Sequence, residues 1–260
     1  MRVLCIGDVF AEQGVNALLK ILPSLKKKER VDLCIVNGEN SSNENGIDKY
    51  SADRIFAAGA DLITGGNHTL KLEEIYGALD ENPFMIRPAN LKTDIGKGYA
   101  LLDMGKYSVA VINLIGRIFL EKIEAENPFV AVDSYLERAK ADKAKYIIVD
   151  FHAEATSEKR AMGFYLDGKV SAVFGTHTHV QTNDASVLPL GSGYITDLGM
   201  TGVKDSVLGV KKEIIVNRLK NKDMSKFYPA TGDCIVSGAV FELDEKTGLC
   251  SSAKEIRIEL

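Results

Sequence analysis

The sequence predicts an α/β fold, and three observations carry that expectation. Short apolar runs rich in β-branched residues, each closed by Gly, Asn or Asp, recur along the chain. Segments with helical spacing separate them. The C-terminal stretch reads as strands joined by a tight turn. Runs that are apolar on both faces, and too short for helices, mark buried strands.

Taken in order, the expected strands are "RVLCIG", "DLCIVNG", "DLITGG", "SVAVINLIG", "YIIVDF", "SAVFG" and "YITD". The expected helices are "VNALLKILPSLKKKE", "DKYSADRIFAAG", "LEEIYGAL" and "VDSYLERAKADKAK". Lys26 to Lys28 then form the solvated end of the first helix. The tail "CIVSGAVFELDEKTGLCSSAKEIRIEL" supplies two or three strands with a turn at Asp244–Gly248, an antiparallel portion that closes the fold. There is no internal repeat, low-complexity stretch or linker, so residues 1–260 read as a single domain.

Composition narrows the function. Of 260 residues, 45% are hydrophobic and 26% charged, and the formal net charge is −4. That balance argues against nucleic acid as a partner, since no excess basic charge is present to neutralise phosphates. No apolar run approaches the ~20 residues that span a bilayer, so no membrane partner is expected. The opening "MRVLCIGDVF" reads as a first strand rather than a signal peptide. Cys5, Cys34, Cys234 and Cys250 form no C-x-x-C pair, and a reduced, cytoplasmic protein is expected.

The chemistry gathers at the strand ends, where α/β sheets collect their ligands. The first strand delivers Asp8, the second Glu39 and Asn40, and the third Asn67 and His68. "YIIVDF" delivers His152, and "SAVFG" delivers His177 and His179. All four histidines of the chain therefore follow a strand end directly. A lone His-x-His is most simply a pair of loop histidines. Four histidines in such company are better explained by one shared metal site. Three histidines, two carboxylates and two amide oxygens exceed what one tetrahedral zinc uses. They suit two borderline ions of higher coordination number, with Glu39 long enough to bridge them.

The ordered motifs Gly-Asp, Gly-acid-Asn, Gly-Asn-His, His and Gly-x-His-x-His resemble the calcineurin-like metallophosphoesterases. The closer variant, with "GEN", "DFHAEATSEK", "GTHTHVQT" and "TDLGMTG", is similar to the YmdB-type bacterial phosphodiesterases over nearly the whole chain. The resemblance implies a sandwich of two β-sheets flanked by helices. It implies a dinuclear phosphodiesterase that cleaves 2′,3′-cyclic and also 3′,5′-cyclic nucleotides by attack of a metal-bridging hydroxide. Two divalent or mixed-valence ions are implied, iron first and manganese or zinc as alternatives. The partner is a small phosphodiester, and a homo-oligomer is compatible with the family.

One departure is instructive. The wider superfamily begins Asp-x-His, but here Phe10 replaces the histidine ligand. The closer family implies that Asn40 substitutes for it. Metal one is then expected on Asp8, Glu39, Asn40 and His179, and metal two on Glu39, Asn67, His152 and His177. By the same resemblance His68 faces the substrate as the catalytic acid. Two divalent ions, two carboxylates and a hydroxide leave about one net positive charge for an anionic ester.

Around this set, Asp150 and Glu154 are both candidates to accept the second N–H of a ligand imidazole, with ordinary surface acids as the alternative. Asn113 and Arg117 are candidates for the phosphate, with a subunit contact as the other role for Arg117. "TDLGMTG" is either a substrate loop or a plain turn. A phosphomonoesterase shares the same metal core. A regulator using a structural metal centre shares the fold, although an intact His68 argues for catalysis.

Overall fold

The fold is described from a computed structural model covering residues 1–222 and 224–260. The parallel heart of the first sheet is β1 (Arg2–Ile6), β3 (Leu33–Asn37) and β4 (Leu62–Thr64). The tail forms β12 (Cys234–Leu243) and β13 (Cys250–Glu259), a hairpin whose β12 pairs antiparallel with β1. Two short strands, β2 (Asp8–Val9) and β11 (Met200–Val203), complete the seven-stranded sheet. The turn falls where the sequence places it: Asp244 Oδ1 accepts from the backbone N–H of Lys246 and Thr247.

The second sheet has six strands. β6 (Ser108–Ile115), β7 (Tyr146–His152), β8 (Ala172–Thr176) and β10 (Gly193–Ile195) run parallel. Antiparallel β5 (Tyr99–Asp103) and β9 (Ser186–Val187) cover its two edges, which limits exposure of unpaired backbone groups.

The period-two alternation of the strands divides the interior. Val3, Cys5, Leu33 and Ile35 face inward and pack with Val109, Ile148 and Phe174 of the other sheet. Leu4, Ile6, Cys34 and Val36 face outward onto α1 (Ala11–Glu29) and α2 (Lys49–Ala58). On the far side, Ile112, Val149 and Val173 meet α4 (Pro128–Ala141) and α5 (Thr156–Leu166). Two sheets flanked by helices is the layering expected from the motifs.

The differences are local. α1 begins at Ala11, four residues before its apolar stripe, and Lys26 is tied by its ammonium to Asp61 at 3.0 Å rather than solvated. The third expected helix is one 3₁₀ turn, Glu73–Ile75, followed by α3 (Tyr76–Glu81). Two helices were not expected: α5 (Thr156–Leu166), and α6 (Lys212–Asn221), which buries none of its residues and gave no core-facing signal. No helix among the described residues is long and apolar enough to cross a membrane.

Candidate metal centre and its pocket

The five strand ends converge at the junction of the two sheets. β7 carries the tie between them: Asp150 is fully buried, and its Oδ2 accepts from Asn37 at 3.0 Å and Thr64 at 2.5 Å in the first sheet. Its Oδ1 accepts from Thr176 of β8 at 2.8 Å. Burial raises the Asp150 carboxyl to about 6 against these hydrogen bonds.

His152 ends β7 with no exposed surface. Its Nδ1 lies 2.9 Å from Thr176 Oγ1. That hydroxyl gives its own proton to Asp150, so it accepts from His152 Nδ1–H. Nε2 therefore faces the cluster, and three donor atoms surround it. Asn67 Oδ1 is at 2.9 Å, His177 Nδ1 at 3.1 Å and Glu39 Oε1 at 3.3 Å. Ligand atoms about 2.1 Å from one ion stand roughly 3.0–3.4 Å apart, so these spacings fit a common metal. Gly66 keeps the space open. A Cβ there would lie 2.2 Å from Glu39 Oε2 and 2.3 Å from His152 Nε2.

Electrostatics describe the same crowding. Burial alone lowers His152, but the Glu39 and Asp8 carboxylates outweigh it and hold the imidazole at about 9. Burial raises Glu39, yet His152 and His68 pull it well below the usual carboxylate range. Burial and the neighbouring His152 press His177 down to about 3. Its outer nitrogen, Nε2, lies 3.0 Å from Glu154 Oε2, a partner that fixes Nδ1 as the inward atom.

The second group of donors surrounds Asp8. Its carboxyl is fully buried, and burial raises it despite His179 and His152 nearby. Asp8 Oδ2 accepts from the His177 backbone N–H at 3.1 Å, but Oδ1 has no hydrogen-bond partner among the described residues. A buried, unpartnered carboxylate oxygen is a costly arrangement that a cation resolves. Asp8 Oδ1 lies 3.8 Å from His179 Nε2, and Asn40 Nδ2, which donates to Glu39 Oε1 at 2.7 Å, lies 3.3 Å from the same nitrogen. The donor set, oxygen and imidazole without thiolate, suits borderline divalent ions.

His177 and His179 do not extend β8. Both take left-handed backbone angles, φ 100° and 64°, which L-residues adopt only when their surroundings enforce it. The enforcement comes from Asp197. Its Oδ2 accepts from the Thr178 backbone N–H at 3.2 Å and hydroxyl at 2.8 Å. Lys159, fully buried on α5, pairs with that oxygen at 2.5 Å. His179 is held further by its Nδ1–H, which donates to the Leu208 carbonyl at 3.1 Å.

His68 borders the cluster on its open side. Its backbone N–H donates to Glu39 Oε2 at 3.0 Å, and its ring Nδ1 lies 3.4 Å from Glu39 Oε1. The Asn67 amide lies 3.1 Å from its Nε2, and the half-buried ring reaches a pocket of about 650 Å³. That pocket also opens onto His177, His179, Phe10, Phe227 and Tyr228.

All eight expected site residues therefore lie at one place. In the supporting shell, Glu154 takes the expected place beside a candidate ligand imidazole, 3.0 Å from His177 Nε2. Asp150, by contrast, does not meet His152 directly, because Thr176 stands between them. Asn113 does not reach the pocket. Its side-chain carbonyl accepts from the Gly65 N–H at 3.0 Å and pins the loop before Asn67. Arg117 lines a separate surface pocket with Phe129 and Glu158. In "TDLGMTG", Met200 to Gly202 belong to β11 and Asp197 clamps the histidine loop. Lys159 had a readable signal. It shares a helical stripe with Ala155, Met162 and Leu166, where a lysine needs a buried partner.

The model of the YmdB-like protein family matches residues 4–256. A Bacillus subtilis (strain 168) protein named 2′,3′-cyclic-nucleotide 2′-phosphodiesterase is 42% identical over all of this chain and 96% of its own length. A putative phosphatase/phosphodiesterase of Mycoplasma genitalium is 35% identical, over 100% of this chain and 94% of its own. Among solved structures, a Thermus thermophilus protein superposes with a TM-score of 0.92 at 40% identity, covering 100% of this chain and 99% of that one. A phosphatase of Mycoplasma pneumoniae gives 0.94 at 32%, covering 100% and 93%. With the strand-end cluster and full-length similarity together, the chain belongs to the YmdB-like family of the metallophosphoesterase superfamily and is a phosphoester hydrolase.

Proposed function

We propose that the chain hydrolyses cyclic nucleotide phosphodiesters, the 2′,3′-cyclic ester first and the 3′,5′-cyclic ester second, using two metal ions. The observation that carries this reading is the unpartnered, buried Asp8 Oδ1 beside the tight group around His152 Nε2. The name of the Bacillus subtilis relative supports the ester.

Asp8, Glu39, Asn40 and His179 hold metal one, and Glu39, Asn67, His152 and His177 hold metal two. Iron is the first candidate, with manganese or zinc as alternatives. Such a pair supplies Lewis acidity and a water acidic enough to attack phosphorus in line. The chain's own groups do the rest. Glu39 shares its carboxylate between the two halves. Thr176 and Glu154 orient the His152 and His177 rings. His68, in the pocket and outside both ligand sets, gives its proton to the departing ribose oxygen. Four buried free thiols support a reducing, cytoplasmic setting.

Metal analysis and activity on one purified sample test the reading. Two ions per chain and turnover of a 2′,3′-cyclic nucleotide are expected. Turnover of nucleoside monophosphates alone would make the enzyme a phosphomonoesterase.

A further inference from the structure

The pocket beside the metal centre has a wall that a phosphate group does not require. Phe10, Leu208, Ile215, Phe227 and Tyr228 line the same cavity as His68 and His179. Phe227 and Tyr228 keep 48% and 53% of their surface exposed, so the fold's own packing does not use them up. Aromatic faces left open in a ligand-sized pocket serve whatever enters it.

The wall is braced rather than loose. Arg218 lies over the Phe227 ring, 4.6 Å from its centroid. The Lys211 N–H donates to the Tyr228 carbonyl at 3.0 Å, and the Ala230 N–H to Gly209 at 2.8 Å. Gly209, at φ 95°, lets the chain pass against Phe10, because a Cβ there would come within 2.3 Å of the ring. Phe10 itself meets His179 edge-on, with ring centroids 5.7 Å apart. The wall and the metal centre are thus joined by that ring contact and by the hydrogen bond from His179 to Leu208.

A substrate whose phosphate lies at the metals and whose remainder is planar and weakly polar matches this arrangement. We propose that Phe10, Leu208, Ile215, Phe227 and Tyr228 form a nucleobase subsite that stacks the base of the bound nucleotide. The proposal rests on the phosphodiesterase reading above and adds where the nucleoside sits. Stacking on aromatic and apolar surfaces accepts every base, since each has a π-face. Purines should exceed pyrimidines by their larger area.

The test compares two esters on metal-replete protein: adenosine 2′,3′-cyclic phosphate and glycerol 1,2-cyclic phosphate, which has no base. In the F227A/Y228A double variant, kcat/KM for the nucleotide should fall about 10- to 100-fold, carried mainly in KM. The loss on the glycerol ester should be at least fivefold smaller. Equal losses on both esters, or unchanged nucleotide hydrolysis, would overturn the subsite. A second measurement needs neither metal nor turnover. Adenosine binding to the parent protein, followed by saturation-transfer NMR, should be clear at millimolar concentration and weakened in the double variant. No adenosine binding by the parent would also overturn the subsite. Adenosine binding by a parent inactive on both esters would uphold the subsite and sink the phosphodiesterase reading instead.

Discussion

The two halves of the proposed metal centre are built on different principles. In the half around His152, three donor atoms stand within 3.3 Å of one nitrogen. Asn67 and Glu39 follow strand ends and a buried hydroxyl and carboxylate lie behind His152, while His177 joins them from the left-handed loop that also carries His179. In the half around Asp8, the carboxylate and His179 are 3.8 Å apart. The histidine sits on a left-handed residue held through Thr178 by Asp197 and through Nδ1 by Leu208. The first half draws three of its four groups from strand ends and takes only His177 from the clamped loop. The second hangs its only histidine on that loop.

Glu39 belongs to both halves, so its loss should have the largest effect. Glu39→Gln removes the shared charge, and turnover should drop roughly 10⁴-fold or more, as for a group acting within one catalytic unit. Metal content should fall to one ion or fewer per chain while circular dichroism stays native. Near-normal turnover with full metal content would remove Glu39 from its bridging role.

His68, whose ring touches Glu39 Oε1 at 3.4 Å, is proposed as the acid rather than as a ligand of either half. His68→Ala should keep both ions and lower cyclic-nucleotide turnover by ~10²–10⁴-fold. Hydrolysis of bis-p-nitrophenyl phosphate should suffer far less, because nitrophenolate leaves without a proton. Similar losses on the two esters would mean that the proton comes from another group.

These two residues, and the other candidate ligands, were legible because each follows a strand whose apolar run announces it. The main parallel strands, α1, α2 and α4 and the β12–β13 hairpin were legible for the same reason, because burial writes a pattern, whereas α5 was not among the expected helices. The tethers were not. Thr176 and Asp197 look like ordinary strand and turn residues, and only the meeting of β7, β8 and α5 gives them work. The wall from Val207 to Pro229 was missed because α6 buries none of its residues and so shows no inward face. Asn113 and Arg117 misled in the opposite way: their chemistry suits phosphate, but their positions serve the loop before Asn67 and a distant pocket.

The tethered half should be the easier one to empty selectively. Asn40→Ala should weaken one ion about 100-fold and leave the His152 half loaded. Phe10→Ala, which removes a ring beside His179 and no donor, should change metal content far less. Titration of iron or manganese into the metal-free variants distinguishes them, and equal loss from both would contradict the role given to Asn40.

A smaller effect on metal binding is expected from Lys159. Lys159→Met leaves Asp197 buried without its cation, which costs about 3–5 kcal/mol of folding stability by urea titration. In the folded fraction, the Asp8 half should lose about tenfold in metal affinity as the histidine loop loosens. An unchanged unfolding midpoint would show that the pair does not hold the loop.

The central claim is that two ions sit in these two unlike halves. Anomalous diffraction from crystals of the iron- or manganese-reconstituted protein tests it most directly. Two peaks are expected about 3.5–4 Å apart, one among Glu39, Asn67, His152 and His177 and one among Asp8, Glu39, Asn40 and His179. A single peak at full reconstitution, or a second peak away from Asp8 and His179, would contradict it.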